Sequence, residues 1–181
     1  ARLPFEVTVG MTPVVDLEYA LASVRPKLVH APGGRDWGYG GSGNNYLHYW
    51  NDSTDAWVAV TTSGSPTMTG VSKVRFSKFN WGSPKIVLTD GINPASTYDG
   101  TTYTQITQAD APTAPKYVKS FANHMFYAGM SNATHNIIFS GPFTEDDFDT
   151  GGGEIKVGDV VTGLKVFRDE LFIFCQRRIY K

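Results

Sequence analysis

The chain has 181 residues, with 16 Lys and Arg against 17 Asp and Glu for a formal charge of −1, so its overall field gathers no polyanion and sequence-specific DNA binding is disfavoured. Aromatic residues make up 13% and charged residues 18%, alongside 19 Gly and 10 Pro, a composition of short strands and turns rather than long helices. No run approaches the ~20 apolar residues of a membrane-spanning helix, the first residues lack a signal-peptide pattern, and a single cysteine rules out an internal disulfide framework; the expectation is a soluble protein with no membrane insertion.

The N-terminal stretch is the least regular. Phe5 to Val9 alternates like a strand. Pro13 to Ser23 stays open between two readings. Val14, Leu17 and Leu21 fall at helical spacing behind Thr12 as a cap, whereas Val15 and Val24 favour strand. After Lys27-Leu28-Val29-His30, residues 31–45 read as a Gly-rich loop that carries Trp37 and Tyr39. Aromatics in such a loop point to an interface with a neighbouring subunit. Residues 1–45 are therefore expected to be an irregular segment, and 46–181 to hold the sheets.

From Tyr46 onward the pattern is strands and turns. Tyr46–Trp50 and Trp57–Thr61 flank a polar turn and predict a hairpin. Val74 and Phe76 alternate with Lys73, Arg75 and Ser77, which predicts a strand with the apolar pair facing inward. Thr97-Tyr98 and Thr101-Thr102-Tyr103 flank Asp99-Gly100, which predicts a type I′ hairpin with the tyrosines paired across it.

An internal repeat organises the second half. Phe121-Ala122-Asn123-His124-Met125-Phe126 and Phe167-Arg168-Asp169-Glu170-Leu171-Phe172 share one pattern: a strand ending in Phe, a tight polar turn and an apolar pair opening the next strand. Their separation is 167 − 121 = 46 residues, and a looser copy begins at Phe79, 121 − 79 = 42 residues earlier. Repeats of ~40 to 50 residues with several short strands each are typical of propeller blades, because one small sheet cannot bury both faces alone. The fold class expected is all-β, built from antiparallel blades of a β-propeller or part of one, with Phe121, Phe126, Phe167 and Phe172 in the blade core. Three or so blades fall short of the ~4 to 8 that close a propeller, so the segment is expected to belong to a longer chain.

Motifs that could carry chemistry are weak. Gly38-Tyr39-Gly40-Gly41-Ser42-Gly43 matches a dinucleotide-loop spacing but leads into a strand instead of a helix. The carboxylates of Glu145, Asp146, Asp147 and Asp149 lack the alternation of a calcium loop. His30, His48, His124 and His135 show no metal-ligand spacing, and no Gly-x-Ser-x-Gly elbow frames a nucleophile. Cys175 lies in the apolar run of Leu171 to Phe174 and reads as a buried thiol. The expectation is a non-enzyme with no cofactor and no metal.

From Lys116 onward the segments resemble the tail tubular or nozzle proteins of tailed bacteriophages and the related stabilisation proteins. The resemblance lies in Asn123-His124-Met125-Phe126-Tyr127-Ala128-Gly129, Ile137-Ile138-Phe139-Ser140, Thr144-Glu145-Asp146-Asp147-Phe148 and Phe167-Arg168-Asp169-Glu170-Leu171-Phe172-Ile173-Phe174, in that order. It covers the last third of the chain well and the rest loosely, with Lys27 to Gly33 similar to the opening of such propellers. It implies a virion structural protein of the tail or neck nozzle, self-associating into a ring that is hexameric in the family. Portal or neck adaptor and other tail proteins would be its neighbours, and genomic DNA would pass without sequence-specific binding. The protein would sit in the virion after assembly in the host cytoplasm. A glycan- or receptor-binding module of a phage tail, stacking sugars on Trp37 and Trp50, is the alternative.

Overall fold

A computed structural model describes residues 29–30, 36–39, 47–51, 53–64 and 73–181. The undecided stretch from Pro13 to Ser23 lies outside them. Every regular element among the described residues is a strand, and every pairing in register is antiparallel. The chain divides into two compact units, 1–61 with 67–71, and 62–66 with 72–181.

In the first unit, β1 (Val29–His30), β2 (Asp36–Tyr39), β3 (Leu47–Asn51) and β4 (Ala56–Ala59) form one sheet in sequential order. The predicted hairpin is present, with Trp50 opposite Trp57. Its turn is held locally: the Asn51 Oδ1 accepts from the Ser53 amide at 3.0 Å, and Asp55 takes the left-handed φ of 49°. The Gly-rich loop expected over 31–45 is interrupted by β2. Trp37 pairs with both Val29 and Tyr49, so the sheet starts within the segment that the composition marks as irregular. Glycine content hid the strand because β1 and β2 are short and supply few apolar positions.

The second unit carries three sheets. Strands β5 (Thr61–Ser63), β6 (Arg75–Asn80), β7 (Pro84–Thr89), β8 (Ser96–Tyr98) and β9 (Thr102–Gln105) pair in the order β5-β9-β8-β7-β6. Strands β10 (Tyr117–Phe121), β11 (His124–Met130), β12 (Ala133–Phe139) and β13 (Gly153–Lys156) make a sequential four-stranded meander. The last sheet is β14 (Val161–Phe167), β15 (Glu170–Cys175) and β16 (Ile179–Tyr180).

The 46-residue repeat has matching backbone in its two copies. Phe121 ends β10 opposite His124, and Phe167 ends β14 opposite Glu170. Between each pair lies a two-residue turn with both residues left-handed: Ala122 and Asn123 at 47° and 65°, Arg168 and Asp169 at 49° and 59°. These are type I′ turns built without glycine. The Asp99-Gly100 hairpin does pair Tyr98 with Tyr103, but only Gly100 has positive φ there. Its turn is held instead by the Asp99 carboxylate, which accepts the Thr101 and Thr102 amides at 2.8 Å each.

A bulge shifts the β11–β12 register between Ala128 and Met130. Gly129 sits at its centre with φ of 77°, and a Cβ there would fall 2.7 Å from the Tyr117 ring. Glycine is therefore required twice over, for the dihedral and for the close approach.

Candidate functional site

The features in this unit that could serve a function are the surfaces by which the sheets stack. Strand β6 lies against β10, and β10 lies against β14, so the first strands of the β6–β9, β10–β13 and β14–β16 meanders adjoin in sequence order. Because side chains alternate along a strand, each sheet has a leading face toward the sheet before it and a trailing face toward the sheet after it.

Between the β6–β9 and β10–β13 sheets the contact is part apolar and part polar. Val87, Ala95 and Ile106 pack with Val118, Met125 and Tyr127, and Phe79, Trp81 and Phe148 close around them. At the first strands the Ser77 and Ser120 hydroxyls are 3.1 Å apart, and Ser77 Oγ accepts the Ser120 amide at 2.9 Å. The Arg75 guanidinium lies 4.5 Å above the Tyr117 ring and donates to the Lys116 carbonyl. The face of β6 that turns inward is thus the one bearing Arg75, Ser77 and Phe79, while Phe76 is 37% exposed. That reverses the sequence expectation, because serine and the stem of arginine pack closely where two first strands meet.

A buried link reinforces the same junction. Lys85 on β7 donates to Glu145 in the loop after β12 at 2.7 Å, with Glu145 buried. The Tyr127 hydroxyl donates to the Glu145 carbonyl at 2.6 Å. The hydrogen bond from Glu145 raises Lys85 above the ordinary lysine value. Burial first, then the charges of Glu145 and Asp146, pushes Tyr127 well above the usual phenol range, so it stays a neutral donor. Asp146 is raised as well, by burial first and then by Glu145.

Between the β10–β13 and β14–β16 sheets the contact is apolar. Phe126, Ala128 and Ile137 pack with Val161, Leu171 and Ile173, with Phe121, Phe139 and Leu164 beside them. The Phe126 and Phe139 rings stack at 5.6 Å, and His124 meets Phe139 edge-on at 5.6 Å. His124 Nδ1–H donates to the Ser140 carbonyl at 2.6 Å, which fixes its tautomer and gives it a packing role. Half-buried Lys119 on β10 is held below the ordinary lysine value by desolvation first and then by the charge of Lys165 on β14.

The residues singled out from sequence divide accordingly. Phe121 and Phe126 belong to the core between these two sheets, and Phe172 is half-buried. Phe167 corrects the expectation: it is 57% exposed, with the Arg168 guanidinium 5.3 Å above its ring. Trp37 and Tyr39 both lie on β2, opposite Tyr49 and Leu47, and their side chains are outside the described residues. Cys175 is half-buried beside the same core, and burial raises its thiol.

Among the described residues no group of His, Cys, Asp or Glu is placed to hold a metal ion. Two of the acidic run have structural partners: Glu145 pairs with Lys85 across the junction, and Asp147 Oδ1 accepts the Asp149 and Thr150 amides at 3.0 Å each. Sequence reasoning missed the Arg75–Tyr117, Ser77–Ser120 and Lys85–Glu145 contacts. No local pattern marks them, since each joins different repeats and becomes visible only when the sheets are laid together.

No helix among the described residues is long and apolar enough to cross a membrane. No family model matches the chain, and no curated protein matches it.

Proposed function

We propose that this chain is a load-bearing segment of a propeller-type wall in the tail or neck nozzle of a tailed bacteriophage. In this reading its sheets are successive blades, it assembles as a ring around the DNA exit channel, and it docks to portal or neck adaptor proteins. The single observation that supports it most is the stacking of three successive meanders through their adjoining first strands, β6 on β10 and β10 on β14. The resemblance of residues 116–181 to nozzle and stabilisation proteins supplies the phage setting.

Stacked thin sheets make a stiff body because each buries its faces on its neighbours. Ring closure then multiplies one modest subunit contact by symmetry. DNA passes such a wall best where nothing grips phosphate, in keeping with the formal charge of −1. The test is electron microscopy of the purified protein together with tail particles. Rings of uniform diameter that co-purify with tails are the expected result, and a stable monomer that never joins a particle overturns the reading.

A further inference from the structure

The three sheets of the second unit obey one packing rule, and the rule leaves one face without its counterpart. Aligning them on the pairs Phe79–Lys85, Phe121–His124 and Phe167–Glu170 puts every following residue of the second strand in correspondence. The next residue, Ile86, Met125 or Leu171, points to the leading face, as does the one two further on, Leu88, Tyr127 or Ile173. The residues between, Val87, Phe126 and Phe172, point to the trailing face.

At both junctions a trailing face receives a leading face. Phe79 and Val87 meet Val118, Met125 and Tyr127. Phe121, Phe126 and Ala128 meet Leu164, Leu171 and Ile173. In the last sheet the corresponding trailing residues are Phe167, Phe172 and Phe174, and here Phe167 is 57% and Phe174 38% exposed. Three phenylalanines on one small sheet face form an apolar patch of the kind that marks a binding surface.

We infer that this trailing face is the seat of a further β-meander of the same repeat, one that presents aliphatic side chains at the places of Leu164, Leu171 and Ile173. The occupant follows from the rule, since both trailing faces already filled are filled by such a leading face. The second unit of another copy of this chain does not supply it. Its β10–β13 and β14–β16 leading faces are used internally, and on its β6–β9 sheet Ile86 and Leu88 are already 1% and 2% exposed. The inference rests on the stacked-sheet reading above but not on the phage setting, so a monomer that joins no tail leaves it standing.

The test extends the chain beyond Lys181 by one repeat, using its own residues 136–181 so that the 46-residue spacing continues unbroken. Two readouts are followed: binding of a solvatochromic apolar dye, and amide hydrogen exchange in β14 and β15. The unextended chain is expected to bind the dye and to lose that binding with Phe167→Lys plus Phe174→Lys. The extended chain, with its added copies of Phe167 and Phe174 converted to lysine so that only the original trailing face can take up dye, is expected to bind several-fold less dye and to exchange several-fold more slowly in β14 and β15. Converting the added copies of Leu171 and Ile173 to lysine is expected to restore both signals.

Three results overturn the inference. One is an unextended chain that binds no dye. Another is an extension that folds, judged by protection of β10–β13, yet changes neither readout. The third is sedimentation showing that the unextended chain dimerises and that Phe174→Lys dissociates it, which would make a second copy the occupant. The first and third need no extended chain, so they decide the matter even if the extension does not fold.

Discussion

Phe121 and Phe167 stand 46 residues apart (167 − 121) at one and the same place in the repeat, yet Phe121 packs on Phe126 at 6.2 Å between ring centres while Phe167 is 57% exposed. Identical local structure thus yields different energetics, and the difference comes only from what lies against the trailing face. Phe121→Ala is expected to cost about 2 kcal/mol, below the 3–5 kcal/mol of a fully buried phenylalanine because Phe121 is half-buried. Phe167→Ala is expected to stay within about 0.5 kcal/mol. Urea unfolding of both variants checks the pair, and equal losses would mean that the two sites share an environment after all.

The left-handed turn residues give a stabilising prediction. Ala122 has φ of 47° without any side-chain hydrogen bond to support it, and a left-handed non-glycine residue costs roughly 1–2 kcal/mol. Ala122→Gly removes that strain at the expense of a more flexible unfolded chain. The expected net gain is about 0.5 kcal/mol, read as a higher urea midpoint with unchanged slope. A loss would show that the Ala122 methyl makes a contact worth more than the strain.

How much of this fold was legible beforehand depends on whether the signal was local. The Phe-turn-apolar pattern at Phe121 and Phe167 was readable because both ends of each hairpin lie within a few residues, and the pairing it implies is the pairing found. The type I′ turns themselves were not readable. Ala122-Asn123 and Arg168-Asp169 lack the glycine that normally signals them, whereas Asp99-Gly100 has it and forms a different turn. The inward face of β6 was misread because period-two alternation names two faces without saying which is covered. Ser77 is buried only because Ser120, 43 residues away, offers it a partner. The stacking junctions are long-range by construction, as with Lys85 and Glu145, 60 residues apart.

That ion pair sets an alkaline limit on stability. The bond from Glu145 raises Lys85 above its ordinary value of 10.5. A lysine whose value is raised by folding adds stability that is complete below the unfolded value and vanishes as pH climbs through the folded one. Stability measured by urea unfolding from pH 9 upward should therefore lose the Lys85 contribution once pH passes 10.5, on top of the fall from Tyr127 and Cys175, whose values burial also raises, and Lys85→Met should make the limb less steep without abolishing it. Glu145→Gln should cost about 1–2 kcal/mol at pH 7, less than the 3–5 kcal/mol for a wholly buried pair because Lys85 keeps part of its surface in water. An alkaline limb as steep in Lys85→Met as in the parent would assign the fall to another group.

Thr89 offers the opposite case, a buried polar group that contributes nothing. Its Oγ1 is the buried side-chain oxygen without a hydrogen-bond partner among the described residues, and the residue is 2% exposed. It lies on β7 opposite Arg75, at the end of the strand whose trailing face meets the β10–β13 sheet. A hydroxyl removed from water and left unpaired costs about 1–3 kcal/mol. Thr89→Val replaces it with a methyl of nearly the same shape, so the desolvation cost disappears while the packing stays. The expected outcome is a gain of about 1 kcal/mol, whereas Thr89→Ala, which also deletes the neighbouring methyl, should recover less. If valine destabilises instead, the hydroxyl has a partner in solution, and an ordered water bridging Thr89 to Asp90 or Arg75 in a crystal structure would identify it.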